Sequence, residues 1–236
     1  MPNSSINHKQ HKQHRIRSFV RRNARLTAAQ ARAYEALWPR FGLTVAAGNI
    51  DNQPIFGRTA PCFLEIGFGT GQSLLALAAA HPELNLIGVD THKPGIGAVL
   101  LGMQQQDLSN IRLYDADVID VLEQCIPPDS FEGIQIFFPD PWPKRRHYPR
   151  RLIQASYVQL MITKLKMNGS LHLATDWEDY AKQMLQVLSQ ETALKNVAGP
   201  HQFAPTRSVY RPVITKFEAR GIKEKRKIWE LQFVKV

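Results

Sequence analysis

The segment FFPDPWPKRRH (residues 137–147) combines residue types that could perform chemistry on a nucleic acid. Asp140 lies between two prolines, which lack a backbone donor and stiffen the chain, so its carboxylate is held in a fixed place. Trp142 offers a flat ring on which a base can stack. The cations that could bind phosphates follow within a few residues: Lys144, Arg145, Arg146, Arg150 and Arg151. The segment predicts a catalytic site beside a nucleic-acid chain, and the alternative is a rigid turn followed by a solvated basic helix.

Two further segments carry candidate side chains. Asp176 in ATDWEDY (residues 174–180) follows an apolar run, and because aspartate favours the N-cap position it is interpreted first as a helix cap. A role for Asp176 in the site is compatible with capping. TKFEARG (residues 215–221) mixes a hydroxyl, cations and an acid, and its composition alone indicates an ordinary helix turn.

LEIGFGTG (residues 64–71) is a glycine-rich turn that could approach a ligand. Glycines at positions 67, 69 and 71 let the backbone turn sharply and come close to a bound group. The dinucleotide fingerprint GxGxxG requires its third glycine where Gln72 stands. The spacing therefore departs from the NAD-binding form.

Carboxylates surround this turn in the predicted fold. Glu65 precedes the glycines, Asp90 closes the next strand, and Asp117 follows the strand after that. Such acids would repel a pyrophosphate, whereas S-adenosylmethionine carries a sulfonium and an ammonium and no phosphate. Asp90 is placed to accept hydrogen bonds from ribose hydroxyls, and Asp117 could accept one from the adenine amino group. The pattern predicts S-adenosylmethionine, with an NAD oxidoreductase as the disfavoured alternative.

The elements that must position these residues alternate between strand and helix. Residues 42–60 are predicted to form a long loop, and Thr27 and Gln30 form a capping box at the first helix. Strands are predicted at residues 62–66, 85–90, 111–117 with its exit loop, 133–138, 170–175 and 228–236, and helices at 27–40, 72–80, 95–106, 150–166 and 177–190. The alternation predicts a doubly wound α/β sheet, in which ligands bind at the carboxyl ends of the strands.

Positive charge is concentrated at the N-terminus. The 236 residues carry a net charge of +10, and residues 1–34 hold eight lysines and arginines and no acid, which leaves +2 for the remainder. Clustered positive charge attracts a polyanion through counterion release, so nucleic-acid binding is favoured over a merely solvated arm. Residues 1–25 are predicted to form a basic, disordered arm, and residues 26–236 one domain.

Composition also predicts several absences. The sequence has no run of eighteen apolar residues and no apolar secretory segment at its start, so we expect no membrane association. Cys62 and Cys125 are interpreted as small core residues rather than as a disulfide or a metal site. No metal is expected.

Together with RSFVRR (residues 17–22) and LATDW (residues 173–177), these motifs resemble those of bacterial tRNA (guanine-N7-)-methyltransferases over most of the chain. FFPDPW followed by K-x-R-H is the specific element, whereas LEIGFGTG is shared with many methyltransferases. The resemblance implies a Rossmann-like class I S-adenosylmethionine-dependent methyltransferase fold, with a seven-stranded, mostly parallel sheet, helices on both faces and a final antiparallel strand. It also implies methyl transfer to N7 of guanine 46 in the tRNA variable loop, by a cytoplasmic monomer without an obligate protein partner.

The resemblance further implies roles for individual residues, with Asp140 as the catalytic residue. It implies cofactor contacts at Glu65, Gly67, Gly69, Gly71, Asp90, Asp117 and Asp140, substrate contacts at Lys144, Asp176, Thr215, Lys216, Phe217 and Glu218, and RNA contacts at Arg146, His147, Tyr148, Pro149, Arg150 and Arg151. The chain departs from the family's pattern twice, with Asp90 where a glutamate is common and Pro143 where relatives often carry histidine.

Two other functions remain open at this point. One is an N-methyltransferase of another RNA or of a protein amide, because related enzymes use a similar proline-flanked acid. The other is a non-catalytic RNA-binding protein on the same fold, which the presence of the loop glycines, Glu65, Asp90 and Asp140 disfavours.

Overall fold

A computed structural model describes residues 25–236, so nearly all of the predicted N-terminal arm lies outside the described residues. The described chain is built on an eight-stranded sheet with the strand order β1-β4-β3-β2-β5-β6-β8-β7. The strands are β1 (Gly42–Leu43), β2 (Cys62–Ile66), β3 (Asn85–Asp90), β4 (Ile111–Asp115), β5 (Phe131–Phe137), β6 (Leu165–Thr175), β7 (Leu194–Asn196) and β8 (Trp229–Lys235). Strands β1 to β6 pair in parallel, and β8 is antiparallel to β6 and β7.

The helices cover both faces of the sheet. They are α1 (Ala28–Phe41), α2 (Asn52–Phe56), α3 (Gln72–Ala80), α4 (Lys93–Gln106), α5 (Val118–Gln124), α6 (Ala155–Lys164), α7 (Glu178–Ser189) and α8 (Lys216–Lys223), with short 3₁₀ helices at Val45–Ala47 and Arg145–Arg150. Residues of β2, β3 and β4 enter two separate apolar clusters, one on each face of the sheet. Leu64 of β2 packs with α5, α6 and α7, whereas the adjacent Phe63 packs with α1, α3 and α4. The predicted doubly wound sheet is confirmed.

Several predicted boundaries are confirmed and others are wrong. The capping box of Thr27 and Gln30 forms at α1, and Cys62 and Cys125 are buried, unpaired core residues. The predicted loop at residues 42–60 is interrupted by β1 and α2. The two residues of β1 extend the expected seven strands to eight, and they are too few to show a periodic pattern.

The helix predicted at residues 150–166 is also wrong at its start. A 3₁₀ helix ends at Arg150, an extended stretch follows, and α6 begins only at Ala155 after an extended Gln154. The residues between the two helices include Arg151, whose side chain is buried. No helix among residues 25–236 is long and apolar enough to cross a membrane.

Candidate cofactor and nucleic-acid site

The glycine loop after β2 needs its glycines for conformation and for space. Gly67, Gly69 and Gly71 have φ values of 70°, 58° and 74°, in the left-handed region that disfavours other residues. A Cβ atom on Gly71 would lie 2.0 Å from Cγ2 of Val99 on α4. The loop therefore packs tightly against α4 and directs its backbone towards the carboxyl ends of the strands.

Asp90 fixes this loop to the end of β3. Its Oδ2 accepts a hydrogen bond from the Gly69 N–H at 2.8 Å, and its Oδ1 accepts one from the His92 N–H at 2.8 Å. Burial raises the pKa of Asp90, although both hydrogen bonds favour the ionised form. A carboxylate has about four lone-pair sites, so Asp90 keeps capacity for further donors.

A cavity of about 290 Å³ opens beside Asp90 at the carboxyl ends of the central strands. This volume is close to the lower end of small-molecule sites, about 300 Å³. The cavity brings together loop, strand-end and α8 residues: Ile66, Gly67, Gly69, Val89, Asp90, Thr91, His92, Ala116, Val118, Ile136, Phe137, Phe138, Pro139, Asp140, Leu152 and Phe217. Of the predicted cofactor contacts, it includes Gly67, Gly69, Asp90 and Asp140. Asp117 lies between two lining residues, and its carboxylate caps α5 by accepting the Ile119 N–H at 3.0 Å.

Glu65 is a buried acid with an unsatisfied oxygen. Burial, and then the charge of Asp90, raises the pKa of Glu65 to about 8. Its Oε2 has no hydrogen-bond partner among the described residues. Glu65 lines a smaller cavity that shares Gly67 and Phe217 with the larger one. A buried, unpartnered carboxylate beside a ligand cavity is suited to a cationic ligand.

Asp140 lies on a strained turn at the end of β5. Phe138 and Trp142, on either side of it, have φ values of 51° and 45°. Such conformations cost about 1–3 kcal/mol each for a non-glycine residue and persist only where the surroundings hold them. The exposed Asp140 side chain is thus presented to the cavity by a turn that other contacts must stabilise.

The basic segment after Asp140 is largely accessible. Lys144, Arg145 and Arg146 are exposed, and Arg150 lies with its guanidinium 4.9 Å from the centre of the Trp142 ring. Arg150 therefore already contacts one face of the Trp142 ring, on which a base is predicted to stack.

Residues 147–149, in the middle of this segment, differ in their contacts and exposure. Partial burial, followed by neighbouring cations, lowers the pKa of His147, which favours the neutral ring. The Tyr148 hydroxyl donates to Asp179 at 2.8 Å, and Pro149 is exposed.

Arg151 is the exception in this segment. Its side chain is only 1% exposed and lies against α7, where it donates to Asp179 at 2.6 Å. The guanidinium of Arg151 is thus occupied inside the protein, and its RNA contact stays a prediction.

The segment that carries α8 contributes Phe217 to the site. Phe217 is 54% exposed and lines both cavities, and Thr215 caps α8 by accepting the Glu218 N–H at 3.3 Å. The Lys216 N–H donates to Oε1 of Gln72 at 2.8 Å, which fixes α8 to the start of α3. TKFEARG therefore forms the start of a capped helix, as its composition indicates, and this helix lies beside the cavity.

Glu218 has a buried carboxylate. Its side chain is 3% exposed and pairs with Arg211 at 2.5 Å and with Arg207 at 2.9 Å. Both carboxylate oxygens are engaged within the protein, and the substrate contact of Glu218 stays a prediction.

The sequence gives no signal for the rest of this buried network. Arg211 also pairs with Glu230 of β8, and Glu230 accepts a hydrogen bond from Nε2 of His172 of β6 at 2.7 Å. The network fixes the segment before α8 to the sheet.

Asp176 follows β6, but it is not a helix cap. Helix α7 begins at Glu178 with Trp177 at the N-cap, and Asp176 pairs with Arg226 at 2.6 Å. Asp176 lies against Gly221 of α8, where an added Cβ would be 3.0 Å from its Oδ2. Its substrate contact stays a prediction.

Known proteins with similar sequences cover nearly the whole chain. The family described as "Putative methyltransferase" matches residues 59–231. The tRNA (guanine-N(7)-)-methyltransferase of Alcanivorax borkumensis is 48% identical over 221 residues, which cover 94% of this chain and 92% of the relative. The protein of that name from Alkalilimnicola ehrlichii is 50% identical over 222 residues, or 93% and 92% of the two chains.

Two of the solved structures with similar folds are methyltransferases of ribosomal RNA. The 16S rRNA methyltransferase KamB has a TM-score of 0.55 at 12% identity and covers 78% of this chain and 91% of its own. The 30S ribosomal A1408 methyltransferase from an uncultured bacterium has a TM-score of 0.54 at 13% identity, and the match covers 80% of this chain and 95% of that chain. At such identities the likeness shows the fold alone. The sequence relatives establish more than the fold, and the chain belongs to the bacterial tRNA (guanine-N7-)-methyltransferase family.

Proposed function

We propose that the protein transfers a methyl group from S-adenosylmethionine to N7 of guanine 46 in the variable loop of tRNA. One observation supports this most directly: Asp90 and Asp140, from two strand ends, line one cavity, Glu65 lines the smaller cavity beside it, and an exposed basic segment follows Asp140. The relatives at 48% and 50% identity carry the name of this activity.

The residues of the cavity fit a cationic nucleoside cofactor. The unpartnered Oε2 of Glu65 can accept a hydrogen bond from an ammonium, and the remaining lone pairs of Asp90 can accept from ribose hydroxyls. Gly67 and Gly69 allow close approach of the backbone. When bound, S-adenosylmethionine supplies an electrophilic methyl group on a sulfonium.

Asp140 is proposed to act through its charge. Guanine N7 has an exposed lone pair, so it needs no general base to become a nucleophile. Methylation leaves the base cationic, and a fixed carboxylate nearby stabilises that developing charge. Asp140 lines the cavity and is the first candidate for this role, with Asp176 second.

The exposed cations from Lys144 to Arg150 are proposed to hold the RNA backbone. Phosphate contacts position the substrate without reading its sequence. The base itself must be accessible, which an unstacked guanine of a flexible loop provides more readily than a paired one. We further propose that the protein is cytoplasmic, because tRNA is the substrate, and that it acts as a monomer.

The direct test is incubation with labelled S-adenosylmethionine and unmodified tRNA, followed by nucleoside analysis. We expect N7-methylguanosine, and none in a transcript with adenosine at position 46. Label in ribosomal RNA or protein but not in tRNA would favour the alternative substrates. Cofactor binding without any transfer would favour a non-catalytic RNA-binding protein.

Asp140→Asn tests the proposed role of the carboxylate. We expect turnover to fall by about 100-fold or more, in the range of a lost electrostatic stabiliser, with a much smaller loss of cofactor affinity. The matched control is Asp107→Asn at the end of α4, where the left-handed conformation tolerates asparagine. Near wild-type turnover in Asp140→Asn would show that Asp140 is not the catalytic carboxylate.

A further inference from the structure

Arg150 and Arg151 are neighbours in the chain but differ in their surroundings. Arg150 is partly exposed and lies over Trp142, whereas Arg151 is 1% exposed. A phosphate contact by Arg151 would require breaking interactions inside the protein. The two arginines therefore have separate tasks.

The Arg151 side chain joins the turn that carries Asp140 to α7. Its Nε donates to the Pro141 carbonyl oxygen at 2.9 Å, its Nη2 donates to Asp179 at 2.6 Å, and its Nη1 donates to Gln183. The guanidinium also stacks on Tyr148 at 3.6 Å from the ring centre. Three acceptors in different directions match the planar, forked donor set of arginine and not the single ammonium of lysine.

Two of the three acceptors of Arg151 lie on helix α7. Asp179 and Gln183 are four residues apart and so share one face of α7. Gln183 donates to the Ile153 carbonyl at 3.2 Å, and the Tyr180 hydroxyl accepts the Ile153 N–H at 3.1 Å. The hydrogen bonds from Arg151 and Tyr148 also hold the pKa of Asp179 below its usual range, as expected for a carboxylate in firm contact.

The Pro141 carbonyl belongs to the peptide group that enters Trp142, the residue in the left-handed conformation. A hydrogen bond to that carbonyl fixes the orientation of this peptide plane. We propose that Arg151 is a positioning residue that holds the Pro141–Trp142 peptide, and through it directs Asp140 into the cavity. This inference rests on the proposed function, in which Asp140 stabilises the methylated base.

The test compares Arg151→Lys, Arg151→Gln and Arg150→Gln under single-turnover conditions with saturating cofactor and tRNA. For both Arg151 variants we expect the rate constant to fall at least tenfold, while the amplitude stays near that of the wild type. Their affinity for tRNA and its dependence on salt should remain unchanged. Arg150→Gln serves as the matched control, because a lost phosphate contact lowers the salt slope by about 0.7–0.9.

Three results would overturn the inference. The first is a rate constant in Arg151→Lys equal to that of the wild type. The second is a salt slope of tRNA binding that is lowered in Arg151→Gln as much as in Arg150→Gln. The third is a reduced amplitude at an unchanged rate constant, which indicates only a loss of folded enzyme. If Arg151→Gln does not fold, Asp179→Ala removes one acceptor from the exposed side and should give the same slow rate constant with an unchanged salt slope.

Asp140→Asn separates the positioning role of Arg151 from the proposed role of Asp140. A fast Asp140→Asn contradicts the proposed role of Asp140, whereas a slow Asp140→Asn beside a fast Arg151→Lys contradicts only the positioning role.

Discussion

Glu65 is expected to make cofactor binding depend on pH. Burial, followed by the charge of Asp90, raises the pKa of Glu65 from 4.5 to about 8. Without cofactor, Glu65 is therefore protonated in about nine molecules of ten at pH 7. A neighbouring ammonium favours the ionised carboxylate, so binding at pH 7 should release close to one proton.

The size and sign of the effect follow from this pKa. Because only the ionised form accepts the ammonium well, affinity at pH 6 should be about tenfold below its value at pH 7, or about 1.4 kcal/mol. Affinity should rise by up to about tenfold per pH unit up to about pH 7 and fall again above about pH 8, where the α-amino group of the cofactor loses its own proton. The contribution of Glu65 to the stability of the cofactor-free protein has the opposite sign. It is fully present below pH 4.5 and is lost as the pH rises through about 8, since the folded protein keeps a proton that the unfolded chain has released.

Isothermal titration calorimetry with S-adenosylmethionine, in two buffers of different ionisation enthalpy, measures the released proton directly. Glu65→Gln is the matched variant, because it keeps the shape of the side chain and cannot titrate. We expect its affinity to be lower and nearly independent of pH between about 6 and 8. Proton release near zero in the wild type, or the wild-type pH dependence in Glu65→Gln, would refute the coupling.

Three further predictions concern other parts of the molecule. In Gly95→Ala the new Cβ would lie 1.9 Å from the Gly69 carbonyl oxygen. We expect this variant to bind the cofactor at least tenfold more weakly in calorimetry. The control Gly102→Ala, whose nearest contact is the end of a flexible side chain, should bind with wild-type affinity. Equal affinities of the two variants would contradict the tight packing of the loop. Glu230→Gln removes a charge from a buried ion-pair network and should lower the free energy of unfolding by about 3–5 kcal/mol in urea titrations. A loss below about 1 kcal/mol would show that the network contributes little to stability. Deletion of residues 1–25, which hold seven lysines and arginines and no acid, should weaken tRNA binding and flatten its salt dependence, and an unchanged salt slope would exclude the arm as an RNA contact.

The central sheet could be predicted because its strands are buried on both faces. Such strands are continuous apolar runs, and CFLEI and NLIGVD coincide with β2 and β3 at both ends. The site acids were predictable for a related reason, since an acid that directly follows such a run must lie at the carboxyl edge of a parallel sheet. The short strands β1 and β7 have two and three residues and show no periodicity that would reveal them.

The partners of the charged side chains could not be predicted, because they are distant in the sequence. Arg151 finds Asp179 28 residues away, and Asp176 finds Arg226 50 residues away. Neither composition nor spacing distinguishes Arg151 from Arg150. Burial distinguishes them, because Arg151 is 1% exposed whereas Arg150 is partly exposed.

The charge distribution places a constraint on how Asp140 can act. Exposed cations follow Asp140 in the chain, whereas Glu65, Asp90 and Asp140 gather at the cavities. Methyl transfer to N7 places a positive charge on the base as the sulfonium charge disappears, so the total charge in the cavity is conserved. A carboxylate equally close to both atoms would stabilise reactants and products alike and would not lower the barrier. Asp140 can accelerate the reaction only if it lies closer to N7 than to the sulfonium, which is why the orientation of its turn, held by Arg151, matters for the rate and not for cofactor affinity.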